Sequence, residues 1–207
     1  MHPIRRKELW IAELTLLIAA GLQMTISEKL IFGPRHMVAY LLLVLTLAVA
    51  FTAPRRHTNK GGFHASLATL LIALVSIANA AELGLLTKAL INGSTIPGKS
   101  LLSGALAIFL TNIIVFGLWY WELDSPGLSG RQHKDKPDDF QFPRTSNNMW
   151  EPLFFDYLYL SLTNSTAFSP TDTMPLTHRA KALMSVQALI SLLTVVLVTA
   201  RAVNILG

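Results

Sequence analysis

Cysteine is absent from the 207 residues, which excludes disulfides, thiol redox chemistry and cysteine-based metal sites. Charge is scarce as well, at 14% of residues, where a soluble domain carries about 25%. The deficit sits in long apolar runs, and 52% of the chain is hydrophobic. His57, His64, His133 and His178 are scattered without metal-ligand spacing. No Gly-x-Ser-x-Gly elbow, P-loop or dinucleotide fingerprint occurs. Without a clustered acid, base or nucleophile, no enzyme, cofactor or metal is expected. The net charge of +5 does not point to nucleic acid, because the basic residues cluster beside apolar runs, as at lipid head groups. No repeat suggests an inverted-repeat transporter.

What is present is a series of runs long enough for lipid. A spanning helix needs about 20 mainly apolar residues to cross about 30 Å of hydrocarbon. Five such helices are expected, near Glu8–Ile26, Met37–Ala53, Phe63–Ile91, Leu101–Trp121 and Thr177–Asn204. Gly33-Pro34, Pro54, Asn92-Gly93 and Pro97-Gly98 punctuate them. The start, Met1 to Lys7 followed by an apolar stretch, has the look of a signal peptide. Glu13 interrupts the run and no small-x-small cleavage site follows, so a retained first helix is expected.

The chain divides into a three-helix membrane region, 1–100, and a pore-like region, 101–207. The second holds a helix, a polar loop at 122–149, a hairpin at 150–176 and the last helix at 177–205. Trp150 to Leu162 is apolar but too short to cross, and Thr163-Asn164-Ser165-Thr166 follows it directly. A half-length helix, a polar stretch and a full helix read as a re-entrant hairpin, since irregular backbone survives at membrane depth only where protein buries it or water lines it. The alternative is an interfacial helix followed by a surface loop. The fold class is therefore an all-α membrane protein, with about five spans plus a re-entrant half-helix and loop before the last.

The stretch Asp156 to Thr177 resembles the pore helix, filter and outer mouth of tetrameric potassium channels, without a gap. Asp172-Thr173-Met174-Pro175-Leu176-Thr177 falls on their Asp-x-x-Pro-x-Thr pattern. Thr166-Ala167-Phe168-Ser169-Pro170-Thr171-Asp172 falls on the Thr-Thr-Val-Gly-Tyr-Gly-Asp filter. The same stretch resembles more closely a family of uncharacterised prokaryotic multi-spanning membrane proteins. Those carry Ala-Phe-Ser-Pro-Thr-Asp-Thr-Met-Pro-Leu-Thr here and Trp-Glu-Leu-Asp at the place of Trp121 to Asp124. The resemblance covers roughly Leu101 to Asn204. It implies a homotetramer in the cell membrane, conducting monovalent ions.

Potassium selectivity does not carry over. That filter uses carbonyl oxygens in place of the ion's water shell, and its glycines permit the required backbone. Ser169 and Thr171 replace the glycines, and Pro170 between them has a fixed φ. In a tetramer, Thr166, Ser169 and Thr171 would instead offer hydroxyl rings and Asp172 a carboxylate ring, favouring cations. The expected pore residues are Thr163, Asn164, Thr166, Ala167, Phe168, Ser169, Pro170, Thr171 and Asp172. Asp172 could equally cap the next segment or pair with Arg179. Gln187, Ser191, Thr194 and Arg201 share one stripe of the last helix, facing either a water-filled axis or a neighbouring helix.

Glu13 and Glu82 are ionisable groups inside apolar runs, hence candidates for transport or for structural pairing. Glu122, Asp124, Asp138 and Asp139 match no known metal loop and read as solvated loop charges. The aromatic residues around Trp121 and Tyr157 read as an interfacial belt. With five spans, twelve of the 17 Lys and Arg share the side of the amino terminus and hairpin. Positive-inside counting makes that side cytoplasmic, whereas potassium channels place the hairpin outside. Function is accordingly expected to be channel-like, a weakly selective cation channel lacking the potassium filter. The alternatives are a non-conducting scaffold or partner-binding subunit, and a proton-coupled small-solute transporter.

Overall fold

A computed structural model describes residues 6–26, 30, 34, 36–52, 62–93, 96–125, 138–143, 151–166 and 172–206. The chain is mostly helical. Helices α1 (Arg6–Gln23), α2 (Met37–Thr52), α3 (Gly62–Ile91) and α4 (Gly98–Asp124) come first. Strand β1 (Phe140–Gln141), helix α5 (Phe154–Ser165), strand β2 (Met174–Pro175) and helix α6 (His178–Leu206) follow. Three helices are long and apolar enough to cross a membrane: Thr69–Ile91 of α3, all of α4, and His178–Arg201 of α6. Helices α1 and α2 are apolar but shorter, at 18 and 16 residues.

Local chemistry sets the ends. Gly93, at φ 66°, takes the left-handed conformation just past α3, while Asn92 N–H still bonds Lys88 C=O. Pro97 precedes α4, where a missing N–H costs no ladder bond. Helix α5 starts where Asp156 accepts a 2.7 Å bond from Leu153 N–H, placing a carboxylate at the positive end of the helix. Thr177 caps α6, its hydroxyl accepting from Ala180 N–H at 3.3 Å.

Helix α4 is the central post. Sixteen of its residues are buried, and it packs against α1, α3, α5 and α6. In lipid, apolar surfaces gain little from meeting one another, so close packing has to hold helices together. Two glycines provide it. A Cβ at Gly117 would stand 3.2 Å from Leu158 Cα, and one at Gly104 would stand 3.1 Å from Leu30 Cδ1. Outward faces are apolar, with Leu189, Leu192 and Val196 on α6 exposed, as are Leu14 and Ile18 on α1. This is the arrangement expected where the solvent is hydrocarbon.

One buried cluster joins Leu16, Leu42, Ile72, Leu118, Phe154 and Ala180, taking members from all six helices. The packing therefore runs across residue 100, where the sequence divides the chain into two regions. The polar loop at 122–149 is also more structured than expected. Its first residues extend α4 to Asp124, and Phe140–Gln141 pairs antiparallel with Met174–Pro175, Phe140 opposite Pro175.

Candidate functional site

The hairpin that the sequence singles out is held by three layers of polar contacts. The outermost is a latch at the end of α4. The Asp124 carboxylate accepts from the backbone N–H groups of Asp139 (2.5 Å) and Phe140 (3.1 Å), and from the Tyr157 hydroxyl (2.7 Å). Asp139 is 1% exposed, and its two oxygens take a bidentate pair from Arg179, Nε at 2.7 Å and Nη2 closer, plus the Thr177 hydroxyl. Leu176 N–H donates to Asp139 C=O at 2.9 Å. The reading of Asp124 and Asp139 as solvated loop charges is thus corrected. They bolt the returning loop to the first turn of α6, where Arg179 pairs with Asp139.

Beneath the latch lies an aromatic layer. Phe140 stacks edge-on to Tyr120 at 5.2 Å, Phe142 edge-on to Tyr157 at 5.2 Å, and Trp121 lies 5.0 Å from Phe154. Tyr120, Trp121, Phe154 and Tyr157 are wholly buried, while Phe155 and Tyr159 are exposed. The belt expected at the interface is therefore split. The loop strand covers half of it, and α5 presents the rest outward.

The third layer centres on Gln187, which is fully buried. Its amide oxygen accepts from the Tyr120 hydroxyl and from Asn164 Nδ2 at 2.9 Å. Its Nε2 donates to Ser161 C=O (3.0 Å), Ser161 Oγ (2.6 Å) and Ser165 Oγ (2.7 Å). Asn164 also reaches Met184 C=O at 2.9 Å, and Ser161 donates to Ile113 C=O at 2.6 Å. Helices α4, α5 and α6 are stitched together by this one glutamine.

These contacts decide where the expected pore residues lie. Thr163 is buried and bonded back to Tyr159 and Leu160 carbonyls of its own helix. Asn164 turns inward to Gln187, whereas Thr166 at the end of α5 is exposed. Ala167, Phe168, Ser169, Pro170 and Thr171 lie outside the described residues. Asp172 is exposed beside β2. On α6, Ser191 accepts from Asn112 Nδ2 at 3.0 Å, and Thr194 is buried with its hydroxyl on Ile190 C=O. Gln187, Ser191 and Thr194 are 0–2% exposed. The stripe expected to line an open axis is therefore a packing face within the chain. Arg201, at its far end, borders a cavity instead.

A second polar cluster links α1, α3 and α4. Gln23 Nε2 donates to Thr111 Oγ1 at 3.1 Å and to Asn79 Oδ1 at 3.4 Å, and Asn79 Nδ2 reaches Ile108 C=O at 3.3 Å. Glu82, three residues after Asn79 on α3, is 1% exposed and keeps Oε2 without a partner among the described residues. Glu13 is half-buried on α1 and takes no part in the contacts described for this cluster. Among the described residues no group of three or more His, Asp or Glu side chains is arranged to hold a metal ion. Compared with known protein families, curated proteins and solved structures, the chain matches none of them.

Proposed function

We propose that the chain is the protomer of a channel-like oligomer in the cell membrane, with five spans and a re-entrant hairpin whose loop faces the conduction path. One observation carries the reading: the depth that α5 reaches. It starts beside the end of α4, Phe154 against Trp121. Four residues before its end, Ser161 bonds Ile113, eleven residues before Asp124, or about 16 Å along the α4 axis. Gln187, which binds Ser165, stands ten residues after Thr177, about 15 Å into α6. The two lengths agree and equal about half of a hydrocarbon core of about 30 Å, which supports a re-entrant path. The chain is back at the latch by Met174, opposite Gln141. Residues 167–173, at about 3.3 Å each when extended, are long enough for that return.

Five spans are supported by the neighbours of Gly104. Ile26 and Leu30 pack there, in the second turn of α4, so the chain beyond α1 continues to the opposite end of the bundle. Cation preference rests on two features. In the proposed arrangement the carbonyl end of α5 would point to mid-depth, and Asp172, exposed beside β2, would stand at the mouth. The four-fold arrangement is what the potassium-channel resemblance implies.

A non-conducting scaffold is the second reading, favoured by the burial of Gln187, Ser191 and Thr194 within one protomer. Purified protein in liposomes separates the two. Salt flux above that of protein-free vesicles supports the channel, and none supports the scaffold. Flux that requires a pH gradient and vanishes in Glu82→Gln would assign proton-coupled transport instead.

A further inference from the structure

At the end of the bundle away from the latch, a cavity of about 350 Å³ opens between α3, the first turns of α4 and the last turns of α6. Its volume is in the range of pockets that hold small ligands, about 300–1,000 Å³. Leu86, Leu90, Leu101, Leu102 and Val198 make its walls apolar. Lys99 and Arg201 complete the lining with Gly98 and Ala105, and among the described residues no carboxylate belongs to it. Because α4 and α6 run antiparallel, residues a hundred positions apart meet at one membrane boundary. Lys99 stands in the first turn of α4 and Arg201 in the last turns of α6, where long basic side chains reach head groups.

Two further features point to an anion. Arg201 Nε is buried and has no hydrogen-bond partner among the described residues. A buried N–H without an acceptor carries a desolvation penalty that a bound anion would relieve. Helix α4 begins beside it at Gly98, and Pro97 gives no side-chain cap to the first free N–H groups.

We propose that this groove holds an anionic phospholipid, with an acyl chain against the leucines and the phosphate on Arg201 and Lys99. The apolar walls call for a hydrocarbon tail, which inorganic phosphate lacks. The two cations, with no carboxylate of the described residues in the lining, call for a net negative head group, which a zwitterionic lipid lacks. The lining from Gly98 to Ala105 runs about 10 Å along α4, enough to hold the upper part of one chain. The site stands apart from the hairpin and does not depend on conduction.

Native mass spectrometry of the full chain in neutral detergent, with lipids added at equal concentration, tests this. Phosphatidylglycerol should be retained about tenfold better than phosphatidylcholine, and Lys99→Gln with Arg201→Gln should abolish that preference. Leu102→Trp, which fills the groove, should reduce retention of phosphatidylglycerol while Lys181→Gln, at the other end, leaves it unchanged. Equal retention of the two lipids by the unaltered chain overturns the proposal, and so does unchanged preference in the double variant. Inorganic phosphate raising thermal stability as much as the lipid, or oleate displacing phosphatidylglycerol at equal concentration, would also overturn it. A dimer lost in Leu102→Trp without any lipid effect would assign the groove to a second copy and defeat the lipid. If the double variant does not fold, the comparison of lipids on the unaltered chain still decides.

Discussion

Gln187→Leu is the substitution that strikes most directly at the docking of α5. Leucine has nearly the volume of glutamine, so the change removes hydrogen bonds and leaves little cavity. The amide oxygen loses two donors, Tyr120 and Asn164, and the two Nε2 protons lose the acceptors they share among Ser161 C=O, Ser161 Oγ and Ser165 Oγ. Taken as about four bonds at roughly 0.6 kcal/mol each, the mean for hydrogen bonds between membrane helices, the loss is about 2.4 kcal/mol. Treating orphaned hydroxyls as in a water-soluble core, at about 1–3 kcal/mol each, gives a larger figure. The membrane value is preferred, because polar groups of separated helices find other partners in the bilayer too. Reversible unfolding in mixed micelles should therefore show a loss of about 2–3 kcal/mol. Since the chain has no native cysteine, Thr163→Cys can report on the same event, and its labelling should rise in the Gln187→Leu background. A loss below about 0.5 kcal/mol, with labelling unchanged, would refute the stitching role.

Three other outcomes are expected. Gly117→Val should destabilise by about 1–3 kcal/mol, since its first added carbon meets Leu158 backbone, while Gly21→Ala, with open space around it, should not; thermal unfolding in detergent compares them. Arg179→Met should leave the Asp139 carboxylate buried with Thr177 as its remaining described side-chain partner, costing about 2 kcal/mol in the same assay, and adding Asp139→Asn should recover part of it. If the protein conducts, Asp172→Asn should lower cation preference most at low salt, where exposed charge is least screened, as read from reversal potentials in a salt gradient.

The helices were legible because apolar runs and their breakers are local signals. Met37 and Ile91 are helix ends in both sequence and structure, whereas the short helix expected over Trp150 to Leu162 starts at Phe154 and runs on through Thr163, Asn164 and Ser165, which the sequence reads as irregular backbone. The latch was not legible. Asp139 resembles any loop acid until its partners are known, and those are Asp124, 15 residues before it, and Arg179, 40 residues after. Phe140 and Phe142, at alternate positions, were the signal that the loop turns one face inward. The stripe on α6 shows the same limit differently. The periodicity of Gln187, Ser191 and Thr194 was plain, but periodicity tells which residues share a face and not what that face meets. Asn112 and Asn164, on two other helices, decided it.

Both the channel and the scaffold readings require α5 to dip into the bilayer and the chain to return. Single cysteines placed at each position from Thr163 to Asp172, in protein embedded in liposomes, test that directly. A bulky water-soluble thiol reagent should label Asp172 fast and Thr163 through Ser165 slowly, with a gradient between them. Labelling as rapid throughout as at Arg131 to Lys136, in the polar loop, would contradict the re-entrant hairpin.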